Sequence, residues 1–385
     1  MKKIESKIPA ESLAHSATKG VAAYRFDFID DYRGLIIVLM MLDHVSLFLN
    51  ALWLSFDKFE PVFPDLPQFW LRYSSLPVAP GFLLFSGVMV WYTWQRRVER
   101  GVAPLRIRRH LVARGLFLVL LQLFWVNSAW GGFQQLHVDR FGIIGCIGLS
   151  MCLSAFLVDR NWTARLLLAV AIVVAYPALS SIPYDASDPV ESWFAEVFVT
   201  AGPRNSYPLA PWFAMALVGT VIAPLWLRRW TDTFSRVNGT LLLGGAALVL
   251  ALAIRGTGMY GSEFSYAGPL HPSFILDQKY PPTLFFTLWF FALNMFGIVL
   301  LLVVGAAAPW VLVPLRVVGR VPLFFYLIHI PILAILTRRL DIFYRDGGVP
   351  EVLLGSVFLF ALMAPLSIWF ARLKQSTNNP AIKMI

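Results

Sequence analysis

The residues best suited to chemistry are an acid and an imidazole inside the first apolar stretch of the chain. Asp43 and His44 follow Arg33 by about 15 Å of helix, at 1.5 Å per residue, which places them near the middle of a bilayer. Ionisable groups at that depth are costly unless they face a cavity or a partner. A histidine there suits proton transfer near neutral pH. A structural hydrogen bond that ties this helix to its neighbours is the alternative interpretation.

A second histidine, His329, lies about nine residues beyond the basic start of a later apolar stretch that begins at Gly319. If both helices run in the same direction, His44 and His329 lie at similar depth. Consecutive helix positions differ by about 100°, so Asp43 needs a partner other than His44, and His329 is one candidate. The sequence therefore predicts either a chamber with two histidines or a lone histidine that bonds a backbone carbonyl.

Further polar residues lie between apolar stretches, on the side opposite the basic loops. Lys279 and Arg204 are charges suited to an anionic or sugar-like substrate, although the prolines beside them are also ordinary first-turn residues of helices. The expected catalytic set is His44, Asp43 and His329. The expected substrate-binding set is Arg33, Tyr207, Trp212, Lys279 and Tyr280.

One loop is strongly basic, and it carries Arg96, Arg97, Arg100, Arg106, Arg108 and Arg109. Such a loop is first of all a topology signal, because arginine and lysine concentrate on the cytoplasmic side of a membrane protein. It also suits the phosphates of a cytoplasmic donor, for which the expected residues are Arg96, Arg97, Arg106, Arg108 and Arg109. No Walker-type loop, dinucleotide fingerprint, HExxH or CxxC motif is present, so no metal is expected.

The elements that position these residues follow from composition. Of 385 residues 58% are hydrophobic and 14% are charged, and the mean hydropathy is +0.67, so lipid must cover most of the chain. The net charge of +10 is scattered between apolar runs, which argues against a nucleic-acid partner. Cys146 and Cys152 are about 9 Å apart along one helix and cannot form a disulfide with each other.

The sequence predicts an all-α, polytopic membrane bundle of about ten transmembrane helices. The predicted spans are 34–55, 77–95, 111–130, 139–158, 164–182, 208–227, 239–255, 283–305, 318–337 and 350–371. Ten spans put both termini in the cytoplasm, although Arg338, Arg339 and Arg345 then lie outside, against the positive-inside rule. We expect one transmembrane domain at 34–372, with cytoplasmic tails at 1–33 and 373–385.

Five elements together resemble a known family in order along the chain: residues 30–44 (DDYRG, then MMLDH at 40–44), 80–87 (PGFLLFSG), 207–212 (YPLAPW), 279–282 (KYPP) and 319–329 (GRVPLFFYLIH). They are similar to those of bacterial relatives of heparan-alpha-glucosaminide N-acetyltransferase, within the wider transmembrane acyltransferase superfamily. The resemblance implies an enzyme that takes an acyl group from cytoplasmic acyl-CoA, usually acetyl-CoA, and delivers it to an acceptor on the outer face. It also implies that a histidine is the base, a role that falls to His44.

The resulting hypothesis is an acyltransferase of the bacterial inner membrane that modifies a hydroxyl or amine of an extracytoplasmic, glycan-like acceptor. The expected partners are acetyl-CoA, membrane lipid and the acceptor, and a homodimer is left open. Direct transfer is slightly preferred to an acyl-enzyme, because it needs no further residue. A proton-coupled transporter or flippase is the main alternative, since such proteins also carry ionisable residues at mid-membrane. A non-catalytic membrane scaffold is the third.

Overall fold

The computed structural model describes residues 26–53, 65–258 and 260–385. Within these ranges nine helices are long and apolar enough to cross a membrane, and the apolar helix Ile143–Leu157 is a shorter tenth. The predicted all-α polytopic membrane bundle is therefore confirmed. The basic residues of the first 25 positions lie outside the described residues.

The helices are numbered here in chain order. They are α1 Asp27–Leu49, α2 Leu66–Tyr73, α3 Val78–Glu99, α4 Pro104–Trp130, α5 Ile143–Leu157, α6 Trp162–Ser180, α7 Pro189–Phe198, α8 Leu209–Arg229, α9 Thr233–Thr257, α10 Leu284–Ala307, α11 Val313–Gly319, α12 Pro322–Arg339, α13 Val349–Ser376 and α14 Pro380–Met384. Helices α4, α8 and α12 each contain a π-helical segment near their ends.

All ten predicted spans correspond to helices, but several boundaries differ. Helix α1 begins at Asp27 instead of 34, because the acidic side chains of Asp27 and Asp30 lie in its first turn, where they favour the helix dipole. The predicted span at 318–337 included the end of a separate short helix, α11, which follows a 3₁₀ turn at Pro309–Leu312. Hydropathy does not detect this break, since the residues on both sides are apolar.

The bundle has two distinct ends. The basic end carries Arg33, Arg114 and Lys374, and the charges of the two arginines both act on Lys374. The loop end carries the segments at residues 199–208 and 260–283. Helices α3 and α8 both finish at the basic end, where Glu99 of α3 pairs with Arg228 of α8. Because crossing helices alternate in direction, α1 and α12 both run from the basic end to the loop end.

Glycines allow the central helices to touch at backbone distance. A Cβ atom on Gly87 of α3 would collide with the Ala216 carbonyl of α8, and one on Gly219 of α8 would collide with the Leu84 carbonyl of α3. Small residues at such crossings are how membrane helices pack closely without a hydrophobic driving force. The 80–87 element therefore contributes to close packing between α3 and α8.

A similar crossing joins α1 to α11. A Cβ on Gly34 would collide with the Leu315 backbone, and one on Gly319 with the Asp30 carbonyl. Arg316 of α11 donates from Nε and Nη2 to the two carboxylate oxygens of Asp31, at 2.8 and 2.9 Å. This paired geometry fixes the register of α1, and with it the depth of the residues farther along that helix.

Burial separates a central group of helices from a peripheral one. The spans Leu66–Glu99 and Leu209–Arg229 are each 72% buried within the protein, whereas Trp162–Ser180 and Thr233–Thr257 are 17% and 22% buried. Helices α3 and α8 are therefore central, and α6 and α9 face lipid over most of their surface. The ionisable residues of α1 lie beside the central group.

Candidate active site

A narrow cavity of about 170 Å³ extends through the interior from the basic end towards the loop end. Arg33 and Arg114 line it at the basic end, and Asp43, His44 and Lys279 line it farther in. Most of its remaining wall is apolar and comes from α1, α3, α4, α5 and α12, with Phe82, Met89, Ile144, Met151 and Leu323 among the lining residues. One space therefore connects the arginines of the basic end to the mid-membrane histidine.

The two histidines meet inside this bundle. His44 Nδ1 lies 2.8 Å from His329 Nε2, with the ring planes 5° apart. His329 Nδ1 lies 2.8 Å from the carbonyl oxygen of Phe325. His44 is partly exposed to the cavity, whereas His329 is fully buried. The predicted chamber with two histidines is present, and the predicted carbonyl bond of His329 is present as well.

This chain of hydrogen bonds fixes which nitrogen carries each proton. A carbonyl only accepts, so Nδ1 of His329 must be the protonated nitrogen, and its Nε2 is then an acceptor. His44 must therefore donate from Nδ1 to His329. The remaining nitrogen of a neutral His44, Nε2, keeps its lone pair, and the cavity beside it is where a proton donor would have to bind.

Asp43 is bound by α2 and by the turn after it. Arg72 Nη1 donates to Asp43 Oδ1 at 2.7 Å, and Ser75 Oγ donates to the same oxygen at 2.5 Å. The proposed pairing of Asp43 with His329 is therefore wrong. It failed because Asp43 points from α1 towards α2 and the turn at Ser75, whereas His329 lies on α12 beside His44. Arg72 was missed in the sequence, where it is a single charge in a short amphipathic segment.

At the loop end, the cavity wall carries one buried lysine among the described residues, Lys279. Lys279 is 6% exposed and lines the cavity, and its charge acts on both Asp43 and His44. Its ammonium nitrogen lies 5.1 Å from the centre of the Tyr280 ring. Among the described residues it has no carboxylate within ion-pair distance, so its charge is available to a bound group.

Two tyrosines lie beside Lys279. The hydroxyl groups of Tyr207 and Tyr280 are 3.0 Å apart, and Tyr207 lines the cavity. Burial raises the pKa of Tyr207, and the neighbouring Tyr280 adds to the effect, so the Tyr207 phenol stays neutral. Trp212 is buried behind Tyr207, at 5.6 Å between ring centres, and is not among the residues that line the cavity.

A buried clamp holds the segment that carries Lys279. Arg255 is fully buried and donates to the carbonyl oxygens of Phe264, Phe274, Ser273 and Leu276. Asp277 accepts from the backbone amides of residues 263, 264 and 278 and from the hydroxyl of residue 283. These bonds link the two halves of the loop through a buried ion pair and fix the position of the lysine two residues farther on.

The predicted donor-binding arginines lie at the basic end but outside the cavity wall. Arg108 pairs with Asp159 at 2.5 Å, Arg96 lies over the ring of Tyr92, and Arg97 lies near Arg114. Arg106 and Arg109 are exposed. The structure instead places Arg33 and Arg114 on the wall itself. Arg114 was missed because it lies inside an apolar helix, where the sequence gives no indication of the direction it faces.

One other charge considered in the sequence, Arg204, is engaged away from the cavity. Arg204 lies 3.6 Å from the buried carboxylate of Glu196 and donates to Ser192 at 2.7 Å, so it closes a local network around α7. In the ranges that the structure describes, no group of three or more His, Cys, Asp or Glu side chains is arranged to hold a metal ion.

A comparison with protein families gives one match. The family model described as heparan-alpha-glucosaminide N-acetyltransferase, catalytic, matches residues 25–261, which is more than half of the chain. The matched range includes Asp43, His44, Arg72 and Tyr207. It ends before Lys279 and His329, whose relation to the site rests on the geometry described above. No curated protein matches the chain.

Proposed function

Because the chain belongs to the heparan-alpha-glucosaminide N-acetyltransferase catalytic family, and is on that ground a membrane acetyltransferase, we propose the direction and the substrates of its reaction. It takes the acetyl group of cytoplasmic acetyl-CoA and transfers it to a hydroxyl or amine of an extracytoplasmic acceptor, a glycan in the first instance. The observation that carries this proposal is the single cavity that joins Arg33 and Arg114 to His44.

The basic end is the proposed donor side. Acetyl-CoA carries several phosphates on a long, narrow arm, and arginine is the side chain best suited to bind phosphate oxygens. Arg33 and Arg114 would hold the phosphates at the mouth, and the apolar wall would receive the arm and thioester. The exposed Arg106 and Arg109 add positive charge around the mouth and attract the anionic donor.

The same charges support the proposed orientation. Arginine and lysine concentrate on cytoplasmic loops, and the basic end carries the arginine-rich loop between α3 and α4. We therefore propose the cytoplasmic membrane of a bacterium as the location, with both termini in the cytoplasm. The loop end then faces outward, and the acceptor enters past Tyr207 and Lys279.

His44 is the proposed general base. Its Nε2 removes the proton of the acceptor hydroxyl or amine as that atom attacks the thioester carbonyl. The carbon–sulfur bond of the resulting tetrahedral intermediate then breaks, and the proton on His44 passes to the departing CoA thiolate. His329 accepts a hydrogen bond from Nδ1 throughout, so it holds the ring in place and stabilises the imidazolium between the two steps.

Lys279 and the Asp43–Arg72 pair set the net charge beside His44. The tetrahedral intermediate carries a negative oxygen, and a buried ammonium that pairs with no carboxylate of the described residues is suited to stabilise it. The same ammonium would bind an anionic group on the acceptor. Asp43 neutralises Arg72, so Lys279 is left as the net charge of this part of the cavity.

The first experiment measures acetyl-CoA consumption by the protein purified in nanodiscs, with a mixture of cell-envelope glycans as acceptor. We expect His44→Ala to abolish turnover, because among the described residues His44 is the one imidazole on the cavity wall and the Asp43 carboxylate is bound to Arg72 and Ser75. His137→Ala is the matched control, since His137 is exposed on the loop between α4 and α5. Equal turnover of the His44→Ala and wild-type proteins would reject His44 as the base.

The same assay separates the alternatives. A transporter or flippase leaves the thioester intact, so absence of both CoA binding and consumption would favour that function over acyl transfer. Exchange of labelled CoA into acetyl-CoA without acceptor would indicate an acyl-enzyme, whereas direct transfer predicts no exchange. A non-catalytic scaffold would neither bind CoA nor exchange labelled CoA. It would differ from a transporter because it would move no solute across the membrane.

A further inference from the structure

A second large space lies on the far side of α8 from the active site. This lipid-side groove has a volume of about 1040 Å³ and runs between α6, α8, α9 and α10. It shares no lining residue with the active-site cavity within the part of the chain described. Helices α6 and α9, which form its two edges, are the two least buried spans of the bundle, so the groove opens sideways towards the membrane.

The groove is apolar along its length. Its wall includes Ala214 and Val218 of α8, Ala247 and Ile254 of α9 and Phe291 of α10. The hydroxyl of Thr287, a polar side chain inside it, already donates to the carbonyl of residue 283. Water would find few hydrogen-bond partners here, so the occupant must itself be apolar over this length.

The length of the groove fits a lipid chain. From Ala214 to Arg229 the α8 wall extends about 22 Å at 1.5 Å per residue, which exceeds half of a hydrocarbon core of about 30 Å. At the loop end the Tyr260 hydroxyl donates to the Val174 carbonyl at 2.6 Å and links the segment after α9 to α6. This bond bridges the two edges of the groove at the loop end, whereas the groove is open towards the membrane.

The basic end of the groove carries two arginines and a tryptophan. Arg228 is paired with Glu99, but Arg229 is exposed and has no ion pair among the described residues. Trp162, at the start of α6, is exposed at the same mouth, and tryptophan side chains favour the headgroup layer. The groove thus presents an apolar length with a cation at one end, which is complementary to an anionic lipid.

We propose that this groove binds one anionic phospholipid of the leaflet at the basic end, with its phosphate on Arg229 and an acyl chain between α6 and α9. The lipid fills a space that the helices leave open and ties the two peripheral helices to α8. This inference does not depend on the acetyl-transfer reaction. It predicts a specific site, distinct from the layer of lipid that surrounds any membrane protein.

The experiment uses phosphatidylglycerol with a photoreactive group in one acyl chain, present as a minor component of phosphatidylcholine nanodiscs that contain the full chain. Peptide mass spectrometry then maps the labelled residues. We expect labels within 214–229 and 243–254, and much weaker labelling there by an identical phosphatidylcholine probe. Arg229→Gln should lower this headgroup preference about fivefold, since a basic residue at an anionic surface is worth about 1 kcal/mol.

Two further variants complete the test. Arg372→Gln, which removes an exposed arginine from α13 outside the groove, should leave the preference unchanged. Ala247→Trp should fill the groove and remove the labels from both segments, and Arg229→Gln remains decisive if that variant does not fold. Equal labelling by the two probes would mean surrounding lipid only and would overturn the proposal. Cross-links between two copies through these helices would overturn it in favour of a dimer contact.

Discussion

His44 and His329 share one hydrogen bond but differ in what they can do. His329 uses both of its nitrogens inside the protein, on Phe325 and on His44, and has no surface towards the cavity. His44 uses one nitrogen and keeps the other for the cavity. A neutral histidine thus occupies the position that a carboxylate takes in many catalytic triads, which avoids a further buried charge at mid-membrane.

The first prediction concerns this pair. His329→Leu leaves Nδ1–H of His44 without an acceptor, a loss worth about 1–3 kcal/mol, so kcat should fall about 10–100-fold with little change in KM. His329→Gln can offer an amide oxygen to the same proton and should retain more activity. Steady-state kinetics of both variants test this. Equal kcat values for the two variants would show that His329 only fills space.

The second prediction concerns the Asp43–Arg72 pair. Both side chains are partly exposed, at 19% and 12%, so breaking the pair should cost about 1–3 kcal/mol, below the value for a fully buried pair. Asp43→Asn and Arg72→Gln should each lower the melting temperature. The double variant should lose less than the sum, because it leaves no unpaired charge. Additive losses in a thermal-unfolding series would contradict the ion pair.

At the scale of helices, hydropathy predicted most of the fold. Each of the ten apolar runs became a helix, because a segment in lipid must satisfy its own backbone hydrogen bonds. The number of residues along α1 and α12 also predicted that His44 and His329 lie at the same depth, and in the structure they are in contact. The short helices α2 and α11 were not predicted, since each lies against a longer apolar run that masks its limits.

The side-chain partners were harder to predict than the helices. The partner of Asp43 and the wall position of Arg114 depend on which face of a helix points inward, and the weak amphipathicity of a buried apolar helix does not determine this. The role of the Arg255–Asp277 clamp depends on contacts within a single irregular loop. Such contacts come from tertiary structure, and a sequence pattern does not specify them.

The third prediction concerns the α3–α8 crossing. Gly87→Ala places a methyl group against the Ala216 carbonyl, so the helices must separate, at a cost of about 1–3 kcal/mol. Gly245→Ala on α9 is the matched control, since no atom lies within 4 Å of the added carbon. It should be neutral or slightly stabilising. A thermal-shift comparison in one detergent would contradict the crossing if both variants melted alike.

At the scale of the whole molecule, the fourth prediction concerns orientation. Ala103→Cys and Gln135→Cys put single labels on the exposed segments at opposite ends of α4, in a background with Cys146→Ala and Cys152→Ala. In intact cells a membrane-impermeant maleimide should label position 135 at once. It should label position 103 only after permeabilisation, because the basic end is proposed to face the cytoplasm. The reverse pattern would invert the donor and acceptor sides.

The shared cavity also has a kinetic consequence. Under the proposed reaction the donor and the thiol product both occupy the end lined by Arg33 and Arg114, so free CoA competes with acetyl-CoA for the resting protein. Added CoA should raise the apparent KM for acetyl-CoA and leave the maximal rate unchanged. The rate of modification outside the cell would then follow the ratio of acetylated to free CoA inside it. The extent of acetylation at the cell surface would therefore depend on the acetyl-CoA supply of the cytoplasm.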